Sequence, residues 1–120
     1  MKVAVTATSP TLDAPLDARI GRASYFMVVD TETLAHEAHD NVQNLNAVQG
    51  AGIQAAQQVA GFGVEAVITG HCGPKAFRVL SAAGIDIVVG AQGTVRDAIA
   101  DYNKGTLVPS KEADVEGHWV

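Results

Sequence analysis

The order of apolar and polar positions predicts a chain in which strands and helices alternate. Lys2–Thr8 is nearly continuous in apolar residues, which is typical of a central strand covered on both faces. Ala23–Val29 and Leu34–His39 predict a hairpin whose second, more polar arm lies at the edge of the sheet. Val64–Thr69 and Ile85–Val89 predict two buried strands. The short connection between these two strands contains a predicted helix, so we expect them to be parallel.

Three predicted helices accompany these strands. The connecting helix spans Pro74–Ala83, with proline in its first turn. A second helix spans about Ala47–Ala60, where small and apolar residues recur at helical spacing: Val48, Ala51, Gly52, Ala55 and Val59. A third follows Thr94, and Asp97 is placed to complete a capping box. The pattern indicates one α/β domain over residues 1–107 and a flexible, polar tail over residues 108–120.

Composition narrows the function classes. The chain has 120 residues, 48% of them hydrophobic, and a single cysteine, so we expect one domain without a disulfide or a cysteine-rich metal site. Threonines interrupt the apolar stretch at the N-terminus, which argues against a signal peptide or a membrane span. The net charge of −5 and the few aromatic residues argue against nucleic acid as a partner. The single cysteine makes a reducing, cytoplasmic setting the default, and we expect a monomer.

Three loops follow the predicted parallel strands. They are Ser9–Arg22, Gly70–Lys75 and Gly90–Thr94, called here the first, second and third loops. Ligands of open α/β sheets bind beyond the carboxyl ends of the parallel strands, where such loops meet. The second and third loops lead directly into helices, whose first N–H groups attract anions.

Three cationic residues lie in these loops, one of them at an unfavourable position in a helix. Lys75 lies in the first turn of its helix, where the helix dipole disfavours a positive charge. One interpretation is a solvated lysine, and the other is a cation added to an anion site. Arg19 and Arg22 in the first loop favour the second interpretation.

The segment GHCGPKAFR permits an alternative function. It contains the His-Cys-x5-Arg pattern of cysteine-dependent phosphatases, with Cys72 as nucleophile and Arg78 as the phosphate clamp. Against this, Pro74 starts a helix too early for the loop to wrap a phosphate, and Val79 replaces the usual hydroxyl residue.

The remaining polar residues indicate less. Cys72 is either a small buried residue or, because its neighbours are polar and rich in glycine, a partly exposed ligand contact beside His71. On a strand, His36 and His39 point to opposite faces, so we expect them to be solvated. Asp13 and Asp17 share the first loop, but no evident carboxylate pair supports acid–base catalysis or a two-metal site.

Four segments in order carry a family resemblance: MKVAVTA, ARIGRASYFMVVD, AVITGHCGPKAFRVLSAAGIDIVVG and GTVRDAIADYNKGTL. Through them the chain resembles the nitrogenase iron–molybdenum cofactor biosynthesis family, which includes NifX-like proteins and the C-terminal domain of NifB, over residues 1 to about 107. The resemblance implies a ribonuclease-H-like α/β fold with a mixed five-stranded sheet and helices on both faces. It also implies a protein that binds or carries a metal–sulfur cluster and is not an enzyme.

The chain departs from the family at one motif. Family members often have His-Phe-Gly-Arg where this chain has Arg19-Ile20-Gly21-Arg22, so a possible metal ligand is replaced by a cation. This change favours non-covalent capture of an anionic cluster, as implied by similarity to members from sulfate reducers that hold a molybdenum–copper sulfide cluster. The binding positions that the resemblance implies are Arg19, Ile20, Gly21, Arg22, His71, Cys72, Gly73 and Lys75.

Several details of this hypothesis stay open. Cys72 and His71 are the candidate metal contacts. We expect Ile20, Met27 and Phe77 to line the rim of the site. A third class of function is a partner-binding module for an ATPase or a cofactor-assembly complex.

Overall fold

A mixed sheet of five strands organises the molecule. The computed structural model describes residues 1–41 and 51–113. The strands lie in the order β3-β2-β1-β4-β5. Their bounds are Lys2–Ala7 for β1, Tyr25–Asp30 for β2, His36–Asp40 for β3, Ala66–Ile68 for β4 and Asp86–Val88 for β5. The helices of the described part are Ala51–Ala60 (α1), Pro74–Ala82 (α2) and Val95–Asn103 (α3).

Strand directions bring three loops to one edge of the sheet. β1 pairs antiparallel with β2, which pairs antiparallel with the edge strand β3. On its other side β1 pairs parallel with β4, and β4 pairs parallel with β5. The predicted hairpin, the central first strand and the parallel pair are therefore confirmed. Because β1, β4 and β5 run in the same direction, their carboxyl ends share one edge, from which the three loops start.

Helices cover both faces of this sheet. Val59 of α1 and Leu80 of α2 are fully buried in one core layer, together with Ala4 and Val67 of the sheet. Ile99 of α3 is buried in the opposite layer, with Val3, Val5 and Ile68. Burying one such aliphatic side chain contributes about 1.5–3 kcal/mol, so the two layers hold the sheet rigidly between them. The predicted α/β class, with helices on both faces, is confirmed.

Element ends differ from the prediction. The strands predicted at Val64–Thr69 and Ile85–Val89 shorten to three residues each, because ladder pairing rather than hydropathy sets where a strand ends. The helix predicted at Ala47–Ala60 is described from Ala51 onward, and Val48 lies outside the described residues.

The predicted tail begins on the sheet. The Ser110 N–H donates to the Ile87 carbonyl of β5 at 2.7 Å, so this part of residues 108–120 is bonded to the domain. Residues 114–120 lie outside the described residues. Within the described ranges, no helix has the length and apolarity needed to cross a membrane.

Candidate functional site

The three loops meet in one open depression at the carboxyl ends of β1, β4 and β5. Its volume is about 270 Å³. The first loop contributes part of the wall, and the second and third loops contribute the rest, so their predicted convergence is confirmed. The lining residues are Leu16, Ala18, Gly70, His71, Gly90, Ala91 and Gln92.

Backbone hydrogen bonds hold the first loop against its neighbours. The Leu16 N–H donates to the Gly93 carbonyl at 2.8 Å, and the His71 N–H donates to the Ala18 carbonyl at 2.7 Å. Through the second bond Arg19 and His71 form a one-residue parallel bridge. These bonds give a long, irregular segment a fixed path across the end of the sheet, since its polar groups are satisfied by the neighbouring loops.

Gly70 allows this close approach. A Cβ atom at this position would lie 2.8 Å from the carbonyl oxygen of Ala18 and 2.9 Å from its Cα atom. Both contacts are with backbone, which has no flexible side chain to move aside. Glycine is therefore required here by the packing of the first loop on the second.

The helix α3 does not offer its N-terminus to a ligand. The Val95 N–H donates to the Ala14 carbonyl at 3.0 Å and the Arg96 N–H to the Leu12 carbonyl at 2.9 Å, both in the first loop. Thr94 and Asp97 form the predicted capping box, which satisfies the next donor. The expectation that both helix starts present free N–H groups is therefore wrong for α3.

The helix α2 has an uncapped first turn. Its N-cap is Gly73, which has no side chain to bond, and Pro74 follows it. Among the described residues, the Lys75 N–H has no hydrogen-bond acceptor, and the Lys75 side chain is exposed. The start of α2 therefore combines an available backbone donor, the positive end of the helix dipole and a cationic side chain.

Of the four predicted binding residues 19–22 in the first loop, two are at least partly exposed and two are buried. Arg19 is exposed and Arg22 is half-buried, whereas Ile20 and Gly21 are buried. Ile20 has no exposed surface and packs in the core layer of α1 and α2. It anchors the loop and does not line the depression, so its predicted place at the rim is wrong.

Two other predicted rim residues also lie elsewhere. Met27 is fully buried in the core layer of α3. Phe77 is half-buried and lines a separate groove of about 340 Å³ along α2. Neither side chain lines the depression, so both rim predictions are wrong. The groove residues are Pro74, Phe77, Arg78, Ser81, Lys111, Glu112 and Ala113.

Cys72 is a core residue. It has no exposed surface, and its Sγ lies 3.6 Å from the Gly73 carbonyl oxygen. The expected partial exposure is therefore wrong, because the side chain belongs to the same core layer as Ile20 and Ala76. Arg78 lines the groove along α2, so the thiol and the guanidinium do not form a phosphatase pocket.

His71 is the predicted metal contact that does line the depression. It is half-buried there. Across the described residues, no group of three or more His, Cys, Asp and Glu side chains is placed to hold a metal ion. Arg19, Arg22 and Lys75 are not among the residues that line the depression itself.

The other histidines are on the edge strand. His36 is exposed, as predicted, and its Nδ1 lies 2.9 Å from the Leu34 carbonyl oxygen. His39 is half-buried instead of solvated, because its ring stacks on Phe62 with centroids 4.4 Å apart. Its Nε2 lies 3.3 Å from the Glu37 Oε1.

The aspartates of the first loop have structural partners. Arg96 Nε donates to Asp13 Oδ1 at 3.0 Å, and this bond raises the pKa of the guanidinium. The Ser24 N–H donates to Asp17 Oδ2 at 3.2 Å. Both carboxylates thus stabilise the shape of the loop.

Sequence reasoning missed several lining residues. Gln92 is exposed at the depression, and Leu16 and Ala18 form the first-loop wall. The rule that ligands bind at the carboxyl ends of parallel strands identified their loops. It did not identify the individual residues, because their positions depend on hydrogen bonds between distant segments.

The chain matches a known family and several solved structures. The model of the family described as dinitrogenase iron-molybdenum cofactor matches residues 1–105. The apo form of the orange protein from Desulfovibrio gigas is 41% identical, with a TM-score of 0.92 over 95% of this chain and 96% of that one. A putative NifB protein from Thermotoga is 31% identical, with a TM-score of 0.81 over 97% and 98% of the two chains. An uncharacterized protein of Methanocaldococcus jannaschii is 30% identical over 94 residues, which are 77% of this chain and 80% of that protein. The chain therefore belongs to the dinitrogenase iron-molybdenum cofactor family.

Proposed function

We propose that this chain binds and carries an anionic metal–sulfur cluster at the depression, non-covalently and without catalysing a reaction. One observation carries the proposal: the bridge between Arg19 and His71. It joins the loop that carries Arg19 and Arg22 to the turn that leads into the uncapped start of α2 and Lys75. Two sources of positive potential are thereby brought to one end of the sheet.

The binding free energy that the proposal needs requires several kinds of contact. Retention through desalting needs a dissociation constant near the micromolar range, which corresponds to about 8 kcal/mol of binding free energy. An exposed ion pair contributes only about 0–1 kcal/mol, so three cations alone are insufficient. Backbone N–H groups at the start of α2 and the apolar wall formed by Leu16, Ala18 and Ala91 supply further contacts. Sulfide ligands are weak hydrogen-bond acceptors with a diffuse charge, which suits this mixture of donors and apolar surface.

We further propose a molybdenum–copper sulfide cluster as the specific ligand. The family description names the iron-molybdenum cofactor, and the likeness to the apo orange protein supports a ligand-binding role for this fold. The replacement of a family histidine by Arg19 favours capture by charge over capture by a metal–imidazole bond. In this proposal His71 contacts the cluster and Cys72 packs the turn beneath it.

The proposal includes where the protein acts. We infer a monomer in the cytoplasm that exchanges its cluster with a cofactor-assembly protein or an associated ATPase. In this role the open form of the depression allows a bound cluster to leave.

Reconstitution tests the proposed function. The purified protein is mixed with tetrathiomolybdate and a copper salt and then desalted. We expect a visible charge-transfer spectrum, with molybdenum and copper eluting in the protein fraction at a fixed ratio. A colourless protein fraction, with both metals in the small-molecule fraction, would refute the proposal.

A further inference from the structure

Two threonines occupy positions where the pattern of the sheet favours apolar residues. Thr6 and Thr69 directly follow the paired residues Val5 and Ile68 of the parallel strands β1 and β4. Both threonines have no exposed surface. By the alternation of a strand, each lies on the same face as the core residues Ala4 and Val67. A buried hydroxyl costs stability unless it is hydrogen-bonded, so the partners of this pair matter.

The hydroxyl of Thr6 reaches from the sheet to the first loop. Thr6 Oγ1 lies 2.6 Å from the carbonyl oxygen of Asp17 and 2.9 Å from Thr69 Oγ1. A hydroxyl has one hydrogen, and a carbonyl can only accept, so Thr6 donates to Asp17. The hydroxyl of Thr69 then donates to Thr6 Oγ1. The result is a short relay in which each bond strengthens the next.

We propose that Thr6 and Thr69 are positioning residues for the binding site. The carbonyl that accepts from Thr6 belongs to the residue before Ala18, whose own carbonyl accepts from the His71 N–H. Together with the Asp17 N–H, which donates to the Thr6 carbonyl at 2.9 Å, the relay holds the first loop at the point where it turns toward Arg19. This inference rests on the proposed function, because it assigns the pair a role in holding the cluster-binding loop.

The threonine pair differs from a merely structural polar contact. Valine has nearly the same shape as threonine, and a valine pair here would pack the core without a buried polar group. The hydroxyls are useful only because the carbonyl of Asp17 needs a donor. Loss of the relay should therefore change the loop more than the core.

Isosteric variants test the assignment. Thr6→Val removes the donor to Asp17, Thr69→Val removes only the donor to Thr6, and Thr6→Ser restores a hydroxyl. Thr31→Val is the matched control, because Thr31 is a buried threonine in the turn between β2 and β3, away from the depression. We expect Thr6→Val to weaken cluster retention by roughly tenfold, Thr69→Val to weaken it less, and Thr6→Ser to recover most of it. Equal retention in the wild type and Thr6→Val, or an equal loss in Thr31→Val, would overturn the proposal.

A second measurement needs no cluster. Hydrogen exchange of the His71 amide in the apoprotein reports its bond to Ala18 directly. We expect this amide to exchange faster in Thr6→Val than in Thr31→Val at matched stability. Unchanged exchange would overturn the positioning role, even if the cluster binds. Faster exchange in Thr6→Val, together with a wild-type protein that binds no cluster, would refute the proposed function alone.

Discussion

The backbone N–H of His71 lies 2.7 Å from the carbonyl oxygen of Ala18, and this bond joins the first loop to the second. Neither residue belongs to a regular strand or helix. The bond brings Ala18 and His71, which both line the depression, next to each other, and Arg19 and Arg22 follow Ala18 in the first loop. The site is thus built from contact between loops, on a sheet that supplies the rigid base.

Gly70→Ala should separate these two loops. The added Cβ would lie 2.8 Å from the Ala18 carbonyl oxygen, so backbone must move to accommodate it. We expect a loss of about 1–3 kcal/mol in the free energy of unfolding, measured with urea, together with weaker cluster retention. The matched control is Gly61→Ala, whose Cβ would meet no atom closer than 3.4 Å. Equal stabilities for the two variants would show that the loops are not packed as described.

Cys72 should be chemically silent in the folded protein. Because the thiol has no exposed surface, we expect no reaction with a thiol reagent until the chain unfolds. Cys72→Ala should cost about 1–2 kcal/mol of stability by leaving a small cavity, and should leave cluster retention unchanged. A native thiol that reacts at the rate of a free cysteine would contradict this burial. Hydrolysis of an aryl phosphate that is lost in Cys72→Ala would instead support the phosphatase alternative.

The start of α3 gives a prediction about relative stabilities. Thr94→Ala removes the capping box and should cost about 1 kcal/mol, because the hydroxyl accepts from the Asp97 N–H. Asp13→Ala breaks an exposed ion pair with Arg96 and should cost less than the loss of the cap. Thermal unfolding of both variants at the same pH gives the comparison. A larger loss in Asp13→Ala would mean that the ion pair contributes more to stability than the cap does.

Asp30 should make stability depend on pH in the acid range. Hydrogen bonds from the backbone N–H groups of Glu32 and Thr33 lower the pKa of this carboxyl below its ordinary value of 3.8. The folded protein therefore binds the proton less tightly than the unfolded chain does. The stabilisation is fully present above pH 3.8 and is lost as the pH falls through the lower, folded pKa. In Asp30→Asn this part of the pH dependence should disappear from urea titrations, and an unchanged slope would show that the turn does not bind the carboxylate.

Local patterns predicted most of the fold. The apolar run of β1, the polar edge strand β3 and the capping box of Thr94 and Asp97 each follow from short-range chemistry, and all three are present. Strand ends were less predictable, because β4 and β5 end where pairing ends and hydropathy continues past that point.

The sequence predicts which loops form the site, but it does not predict which side chains line it. The exposure of Cys72 was misjudged because its neighbours are polar and rich in glycine, and nothing local indicates that Ile20 of a distant loop shares its core layer. The occupied N-terminus of α3 was missed for the same reason. Its partners are the backbone carbonyl groups of Leu12 and Ala14. Every residue has such a carbonyl, so only the path of the first loop shows which of them reach α3.

Salt should weaken cluster binding if charge contributes as proposed. The cations Arg19 and Lys75 are exposed, so salt screens their attraction for an anion. The screening length is about 10 Å at 0.1 M ionic strength and becomes shorter as the salt concentration rises. We expect the dissociation rate of the cluster, followed by loss of its visible absorption, to rise steadily between low salt and 0.5 M. A rate independent of salt would indicate that coordination or apolar contact alone holds the cluster.

The most direct test removes the proposed cations and compares the result with a control variant that loses the same number of positive charges elsewhere. One variant combines Arg19→Ala, Arg22→Ala and Lys75→Ala, and the control combines Lys2→Ala, Lys104→Ala and Lys111→Ala, which are exposed and lie outside the three loops. The measurement is the dissociation constant of the reconstituted molybdenum–copper sulfide cluster, from metal content after equilibrium dialysis. We predict a loss of about 2 kcal/mol, roughly thirtyfold, in the first variant and little change in the control. Equal affinities in the two variants would contradict the proposed site.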